Sequence, residues 1–460
     1  MDEAMGGEHT AEAGIEAGIC ETLAAQGFAV SLCGFSAIDH YLGWDSLPFV
    51  LIETDAGLSD LARHFEGLRF PGASFADGAV EQGGRCYLFR CIDSEETPVS
   101  SQNRSFSFKL LGFNQDWKTR RFRDPGGFYP LLRQLRDGDV TMPYGVALPN
   151  KAAPVGNLGL RPHGNGSNSI FNRGLTLAPP PPFWEGLDRE TDGWRAVMDG
   201  ALILARYSLG EDPRLREINQ IAALIQRLPK GPAPSEEAQR TLLMGLLTSP
   251  HPGFGLELLK ASGFIGELWP ELALLDDVDH SKEFHPEGNV WNHTLETFRY
   301  RKTAINGRTA AAQRAAYDFR LSLALLLHDV GKPISESSGS HRFEGHAELG
   351  ARQARKFLER LGFGPALIGD IYYLVKNHML PAALPRLPLI RTQEIMESPL
   401  FPTLMELYRC DESSSFKGLD GYYESSAAYQ SYLRNRRNPY RSADGKKLGR
   451  REMTNSSMYR

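Results

Sequence analysis

The chain has 460 residues, is 41% hydrophobic and 23% charged, and carries a formal net charge of -5. That length accommodates about three domains with sizeable cores, and no apolar run approaches the ~20 residues of a membrane span. The charge is polarised. Residues 1 to 62 hold eleven Asp or Glu and no Lys or Arg, whereas residues 434 to 460 hold nine Lys or Arg against Asp444 and Glu452, a local +7 that leaves -12 elsewhere. An acidic start excludes a basic signal or transit peptide. Cys20, Cys33, Cys86, Cys91 and Cys410 are scattered, without a CxxC pair. Free thiols and a cytoplasmic location are therefore expected, and a thiolate zinc site is not.

In chain order, residues 10 to 26 read as an amphipathic helix and Phe28 to Leu32 as a buried strand, followed by a short helical segment to Tyr41. Leu47 to Ile52 reads as a strand, Leu58 to Phe65 as a helix, Arg85 to Ile92 as a strand, and Arg104 to Phe113 as a further apolar element. The first 140 residues thus mix strands and helices in an α+β pattern. Residues 141 to 183 carry eight Pro with many Gly and Asn, the texture of an extended connection or insertion. From Trp194 the pattern turns helical: Val197 to Tyr207, Leu215 to Leu228, Ser235 to Leu247 and Phe254 to Ser262 repeat apolar residues at three- and four-residue spacing. Ser235, with Glu236, Glu237 and Gln239, supplies N-terminal capping chemistry.

Leu321 to Pro333, LSLALLLHDVGKP, is an apolar run that stops on charged groups. Gly331 and Pro333 are types that terminate helices, which puts His328 and Asp329 at a buried helix end. Seven of the twelve histidines (280, 285, 293, 328, 341, 346 and 378) fall between 280 and 378. His293 lies on or beside an apolar helical stripe, and His346 opens a helix whose inner face is Ala347, Gly350, Ala351, Ala354, Phe357, Leu358 and Leu361. His378 closes another helix in register with Leu367, Ile371, Leu374 and Val375, and Asp411 follows the apolar segment Leu404 to Tyr408. Singly, each histidine suits a hydrogen-bonded core position and the aspartate a helix-terminal one. Together, four histidines and two aspartates within one helical segment are costly to bury without a cation. Imidazole and carboxylate donors suit Mn, Fe, Ni, Co or Mg, one or two ions per site, more than a structural zinc. Lys332, three residues past Asp329, could neutralise a phosphate oxygen or simply be a solvated lysine at a helix end.

The ordered set His293, His328-Asp329 in LLHDVGKP, His346 in FEGHAELGA, His378 in LVKNHML and Asp411 resembles the HD superfamily of metal-dependent phosphohydrolases. The flanking words HPEGNVWNHT and GHAELGARQA, with LLTSPHPGFGLELLKASGFIGELWPEL at 246 to 272, are similar more narrowly to bacterial tRNA nucleotidyltransferases and related poly(A) polymerases. The resemblance implies an α+β chain with a nucleotidyltransferase-like head at 1–140, a helical body at 184–275 and an all-α HD domain at 276–425; composition adds the linker or insertion at 141–183 and a basic tail at 426–460, expected to be disordered. The resemblance assigns metal ligation to His293, His328, Asp329, His346, His378 and Asp411 and implies hydrolysis of phosphomonoesters and 2',3'-cyclic phosphates; Asp329 and, from its place beside it, Lys332 are the expected catalytic residues.

The head keeps the outline of that family in SLCGFSAIDHYLGWDSLPFVLIETDA, but its two metal-binding carboxylates would align with Phe49 and Leu51 and its loop arginine with Ile38. Ser105 and Lys109 depart from later head motifs in the same way. Phenylalanine and leucine cannot hold magnesium, and residues 1 to 62 lack any cation for a triphosphate. The expected function is metal-dependent hydrolysis of a nucleotide or RNA-end phosphoester, nucleotide addition being lost, with RNA contact through residues 434 to 460. Two alternatives stand beside it. One is a tRNA nucleotidyltransferase or poly(A) polymerase active in RNA 3'-end addition, its carboxylates drawn from Asp39, Asp45, Glu53 or Asp55. The other is a non-catalytic RNA-binding regulator.

Overall fold

A computed structural model describes residues 18–71, 76–92, 107–137, 187, 191–208, 215–279, 288–302, 317–337, 343–415, 418–438, 440–442 and 444–447. The expected linker at 141–183, the start of the helix expected at 10–26, Ser105, and His280, His285 and His341 lie outside these residues. The N-terminal sheet has strands β1 (Val30–Cys33), β2 (Phe49–Thr54), β3 (Gly78–Gln82), β4 (Arg85–Cys91), β5 (Asn114–Asp116) and β6 (Phe122–Arg123) in the order β3-β4-β2-β1-β5-β6. β2 and β4 run parallel, with Phe49 opposite Cys86 and Leu51 opposite Leu88, and the other pairs are antiparallel. β2 reads as a nearly continuous apolar run because it is central and covered on both faces. β3, β5 and β6 are short and weakly apolar, so backbone pairing to β4, β1 and β5 respectively places them, not a hydrophobic pattern.

The α+β class expected from the sequence is what the structure shows: among the described residues, the sheet strands lie in the head, interleaved with short helices, and the rest is helical. Helices Gly193–Tyr207, Leu215–Ile225, Glu236–Leu247 and Pro252–Ala261 make the body. The Ser235 hydroxyl accepts a hydrogen bond from the Ala238 amide at 3.2 Å, capping its helix as anticipated. The head docks on this body through a buried pair: Arg206 Nε and the Tyr207 hydroxyl each donate to Asp39 Oδ1 at 2.8 Å. Arg301 ties body to C-terminal helices, donating to the carbonyls of Leu247 and Ser249 and, at 2.8 Å, to the Ser322 hydroxyl.

The segment expected to start a disordered tail at 426 departs from that expectation. Helix Asp420–Arg437 runs through its first part, with Tyr432 buried and its hydroxyl donating to Glu397 at 3.0 Å. Ala428, Tyr429, Tyr432 and Leu433 form an apolar face at helical spacing that the surrounding arginines conceal. Among the described residues, no helix is long and apolar enough to cross a membrane.

Candidate metal centre

Five helices deliver side chains to one point. His293 lies within Val290–Thr297, His328 and Asp329 follow Phe319–Leu327, His346 opens His346–Arg360, His378 caps Pro365–Asn377, and Asp411 sits in the last turn of Phe401–Ser413. Asp318 starts the second of these helices by accepting from the Arg320 and Leu321 amides. The run of leucines that follows is wholly buried and carries His328 and Asp329 into the interior. Gly331 does not terminate this helix through a left-handed turn. It is glycine because a Cβ there would overlap the His346 carbonyl oxygen and the Gly350 amide nitrogen. Its bareness lets the 328–332 turn lie directly on helix His346–Arg360.

The histidines are oriented by their own backbones. The Nδ1 of His328 lies 2.8 Å from the Leu325 carbonyl, that of His378 lies 2.7 Å from the Val375 carbonyl, and that of His346 lies 2.8 Å from the Phe343 carbonyl. A carbonyl can only accept, so each Nδ1 carries the proton and each Nε2 presents a lone pair. For His328 and His378 the acceptor is one of the carbonyls that a helix C-terminus leaves unpaired. A helix-end histidine three residues on therefore both caps the helix and aims its Nε2 inward. Ser414, which carries no pattern in the sequence, stands behind His293: its hydroxyl donates to the Asp411 carbonyl at 2.6 Å and lies 3.3 Å from His293 Nδ1.

The inward atoms form two trios, His293 with His328 and Asp411, and Asp329 with His346 and His378, each with ligand atoms within 4.8 Å of one another. Asp329 lies between them. Its Oδ2 is 3.2 Å from His328 Nε2 and 4.0 Å from His293 Nε2, while its Oδ1 is 3.5 Å from His346 Nε2 and 3.8 Å from His378 Nε2. His293 Nε2 is 3.0 Å from Asp411 Oδ1. Lys332 Nζ, the remaining predicted group, donates to Asp329 Oδ2 at 2.6 Å.

This arrangement suits a cation. His346 Nε2 and His378 Nε2 face each other at 3.1 Å with no proton between two lone pairs, and the buried His328 Nε2 has no hydrogen-bond partner. Protonating the rings would relieve the conflict, but burial pushes His378 down to about 4 and lowers His346 as well. Burial would raise the carboxyls of Asp329 and Asp411. His328 and Lys332 overcome this for Asp329, and the hydrogen bond to His293 does so for Asp411, holding both below the usual range. The site therefore combines ionised carboxylates with imidazoles at His346 and His378 that burial keeps neutral, donor states that suit a divalent ion. It opens toward solvent along Asp411, whose side chain is 25% exposed, with Lys332 and His346 at the rim.

The head presents the opposite picture. Phe49 and Leu51 are buried in β2 and Ile38 in the preceding helix. A Cβ on Gly245 of the body would stand 3.1 Å from Phe49 Cε1 and 2.8 Å from Leu202, so the phenyl ring fills a notch that only glycine leaves. Phe35 meets Phe49 edge-on and stacks on Tyr207, closing the same seam. Of the alternative carboxylates, Asp39 is committed to Arg206 and Tyr207, Asp55 Oδ1 accepts from the Ala29 amide at 2.7 Å, and Glu53 lies across the ladder from Arg90. Among the described residues, both three-ligand groups belong to the helical half.

Residues 290–401 match the model of the HD domain family. A CC-adding tRNA nucleotidyltransferase of Thermus thermophilus is 33% identical over 221 residues, 46% of this chain and 47% of that protein. A multifunctional CCA protein of Halorhodospira halophila is 35% identical over 182 residues, 39% of each chain. A bifunctional uridylyltransferase/uridylyl-removing enzyme of Mycobacterium tuberculosis is 30% identical over 182 residues, 40% of this chain and 20% of that one. The chain spans less than half the length of these relatives. A crystal structure of Bacillus stearothermophilus CCA-adding enzyme with CTP aligns at a TM-score of 0.44 and 12% identity, covering 92% of this chain and 82% of that one. The chain thus carries an HD domain. The relatives named as a CC-adding tRNA nucleotidyltransferase and a multifunctional CCA protein side with the nucleotide-addition alternative more than with hydrolysis.

Proposed function

We propose that the HD site hydrolyses a phosphate mono- or diester carried by a nucleotide or an RNA end. The observation that carries this reading is the convergence of four imidazoles and two ionised carboxylates on one buried point, where the Nε2 atoms of His346 and His378 face each other without a proton and that of His328 has no hydrogen-bond partner. His293, His328 and Asp411 would hold one divalent ion, His346 and His378 another, with Asp329 shared between them. Bound ions of this kind supply Lewis-acid polarisation and charge neutralisation for phosphoryl chemistry. The histidine backbones keep each Nε2 aimed without rearrangement, Lys332 at the rim offers a cation to a phosphate oxygen, and the leucine helix excludes water from behind. The basic segment from Arg434 onward would guide an RNA chain to this mouth in the cytosol, a salt-sensitive contact.

In the same reading the head has lost nucleotide addition. Phe49 and Leu51 occupy the positions the family's carboxylates would take, and the seam around Phe49 is filled by Phe35, Leu202 and Tyr207. A second reading, RNA 3'-end nucleotide addition, is favoured by a relative named as a CC-adding tRNA nucleotidyltransferase and another named as a multifunctional CCA protein. One experiment separates them. The full chain is incubated with magnesium or manganese, CTP, ATP and tRNA lacking its terminal nucleotides, and in parallel with 2',3'-cyclic nucleotides and p-nitrophenyl phosphate. Hydrolysis without incorporation is expected, whereas incorporation without hydrolysis would replace the first reading by the second.

A further inference from the structure

The turn before His346 contains the backbone anomaly closest to the site. Phe343 adopts φ +60, a left-handed conformation that a bulky L-residue rarely takes, and Gly345 follows at φ +75. The buried Ser335 hydroxyl pins this turn by donating to the Glu344 carbonyl at 2.8 Å. The twist directs the Phe343 carbonyl at His346 Nδ1, 2.8 Å away. The ring of the same residue, packed against the core, has Lys332 Nζ 5.5 Å from its centroid, within cation–π range. One residue therefore touches both a histidine of the metal trio and the lysine at the rim.

We propose that Phe343 is a positioning residue with two separable roles: its left-handed carbonyl fixes the imidazole of His346, and its ring holds the Lys332 ammonium beside Asp329, where a phosphoester would meet it. This rests on the hydrolase reading and adds the group that sets ligand geometry and phosphate affinity. Asparagine and glycine accept a left-handed backbone but lack the ring. Valine, branched at Cβ, resists that backbone. Tyrosine restores the ring at the same backbone cost as phenylalanine.

Manganese affinity by equilibrium dialysis, melting temperature, and kcat and KM for p-nitrophenyl phosphate would be measured for wild type, Phe343→Asn, Phe343→Gly, Phe343→Val and Phe343→Tyr. Phe343→Val should weaken manganese binding by about 10-fold, the usual cost of losing an outer-shell partner. Phe343→Asn and Phe343→Gly should bind manganese as wild type does while raising KM by about 2- to 5-fold at nearly constant kcat, the scale of one cation–π contact. Phe343→Tyr should restore KM. Manganese affinity in Phe343→Val equal to wild type would overturn the backbone role, and an unchanged KM in both ringless variants would overturn the ring role. A wild-type chain that binds no divalent ion would overturn the hydrolase reading itself, a result distinct from either.

Discussion

Gly331→Ala tests whether the 328–332 turn and helix His346–Arg360 must touch for the site to exist. An added Cβ would overlap the His346 carbonyl oxygen and the Gly350 amide nitrogen and stand 2.8 Å from the Gly350 Cα. All three are backbone atoms, so no rotamer change relieves the clash, and the turn or the helix must retreat by roughly 1 Å, an overpacking cost of about 1–3 kcal/mol. For a domain of this size that lowers the melting temperature by roughly 2–10 °C. The same retreat separates Asp329 Oδ1 from His346 Nε2 and His378 Nε2, now 3.5 and 3.8 Å away. Metal content should fall with stability. Gly350→Ala is the graded control, since its Cβ would lie 3.1 Å from Gly331 N and 3.4 Å from Val375 Cγ1, and a smaller loss is expected. Differential scanning calorimetry with and without manganese, and elemental analysis of the purified variants, give both readouts. A Gly331→Ala protein that melts with wild type and retains its metal would refute the close approach.

Phe49→Asp, alone or with Leu51→Asp, should not restore nucleotide addition. It removes a buried ring and leaves a carboxylate in its place, a loss of about 3–5 kcal/mol for the ring alone with more for the buried charge. Urea denaturation checks this, and a stable variant that incorporates nucleotide would show that the seam is an open cleft. Arg206→Met strands Asp39 without its counter-ion and should cost about 3–5 kcal/mol, part of which Asp39→Asn in the same chain should recover, as measured by denaturant midpoints. Chelation with EDTA should lower the melting temperature, and manganese at about 100 times its Kd should return about 2.7 kcal/mol. Equal melting curves in EDTA and manganese would count against resident metal.

Most of the site was legible because its residues obey local rules. His328 and His378 stand where apolar helical runs end, and that position both releases a backbone carbonyl and points the ring inward, so helix pattern and ligand geometry are one signal. Ser414 was not legible, because a hydroxyl three residues past Asp411 in a serine run has no pattern of its own. Phe343 was hidden for a different reason, since a left-handed phenylalanine is imposed by tertiary packing that propensity cannot foresee. In the head, β2 announced itself by its apolar run, but β5 and β6 did not, as NQD and FR carry no alternation; β5 pairs because β1 offers an edge, and β6 because β5 offers the next. In the basic tail the arginines dominate the sequence, but Tyr429, Tyr432 and Leu433 pack on the other helical face, and charge on one face says nothing of the other. Gly331 is the residue type that ends helices, but close contact with the backbone of His346 and Gly350 is what requires it.

The most direct measurement is elemental analysis of the full chain and of Asp329→Ala, paired with hydrolysis of cyclic nucleotides by the same preparations. Near-stoichiometric Mn, Fe, Ni or Co in the wild type, lost together with hydrolysis in the variant, is the expected result. A wild-type chain devoid of these ions after reconstitution, or hydrolysis that persists in Asp329→Ala, would contradict the assignment of His293, His328, Asp329, His346, His378 and Asp411 to a working metal centre.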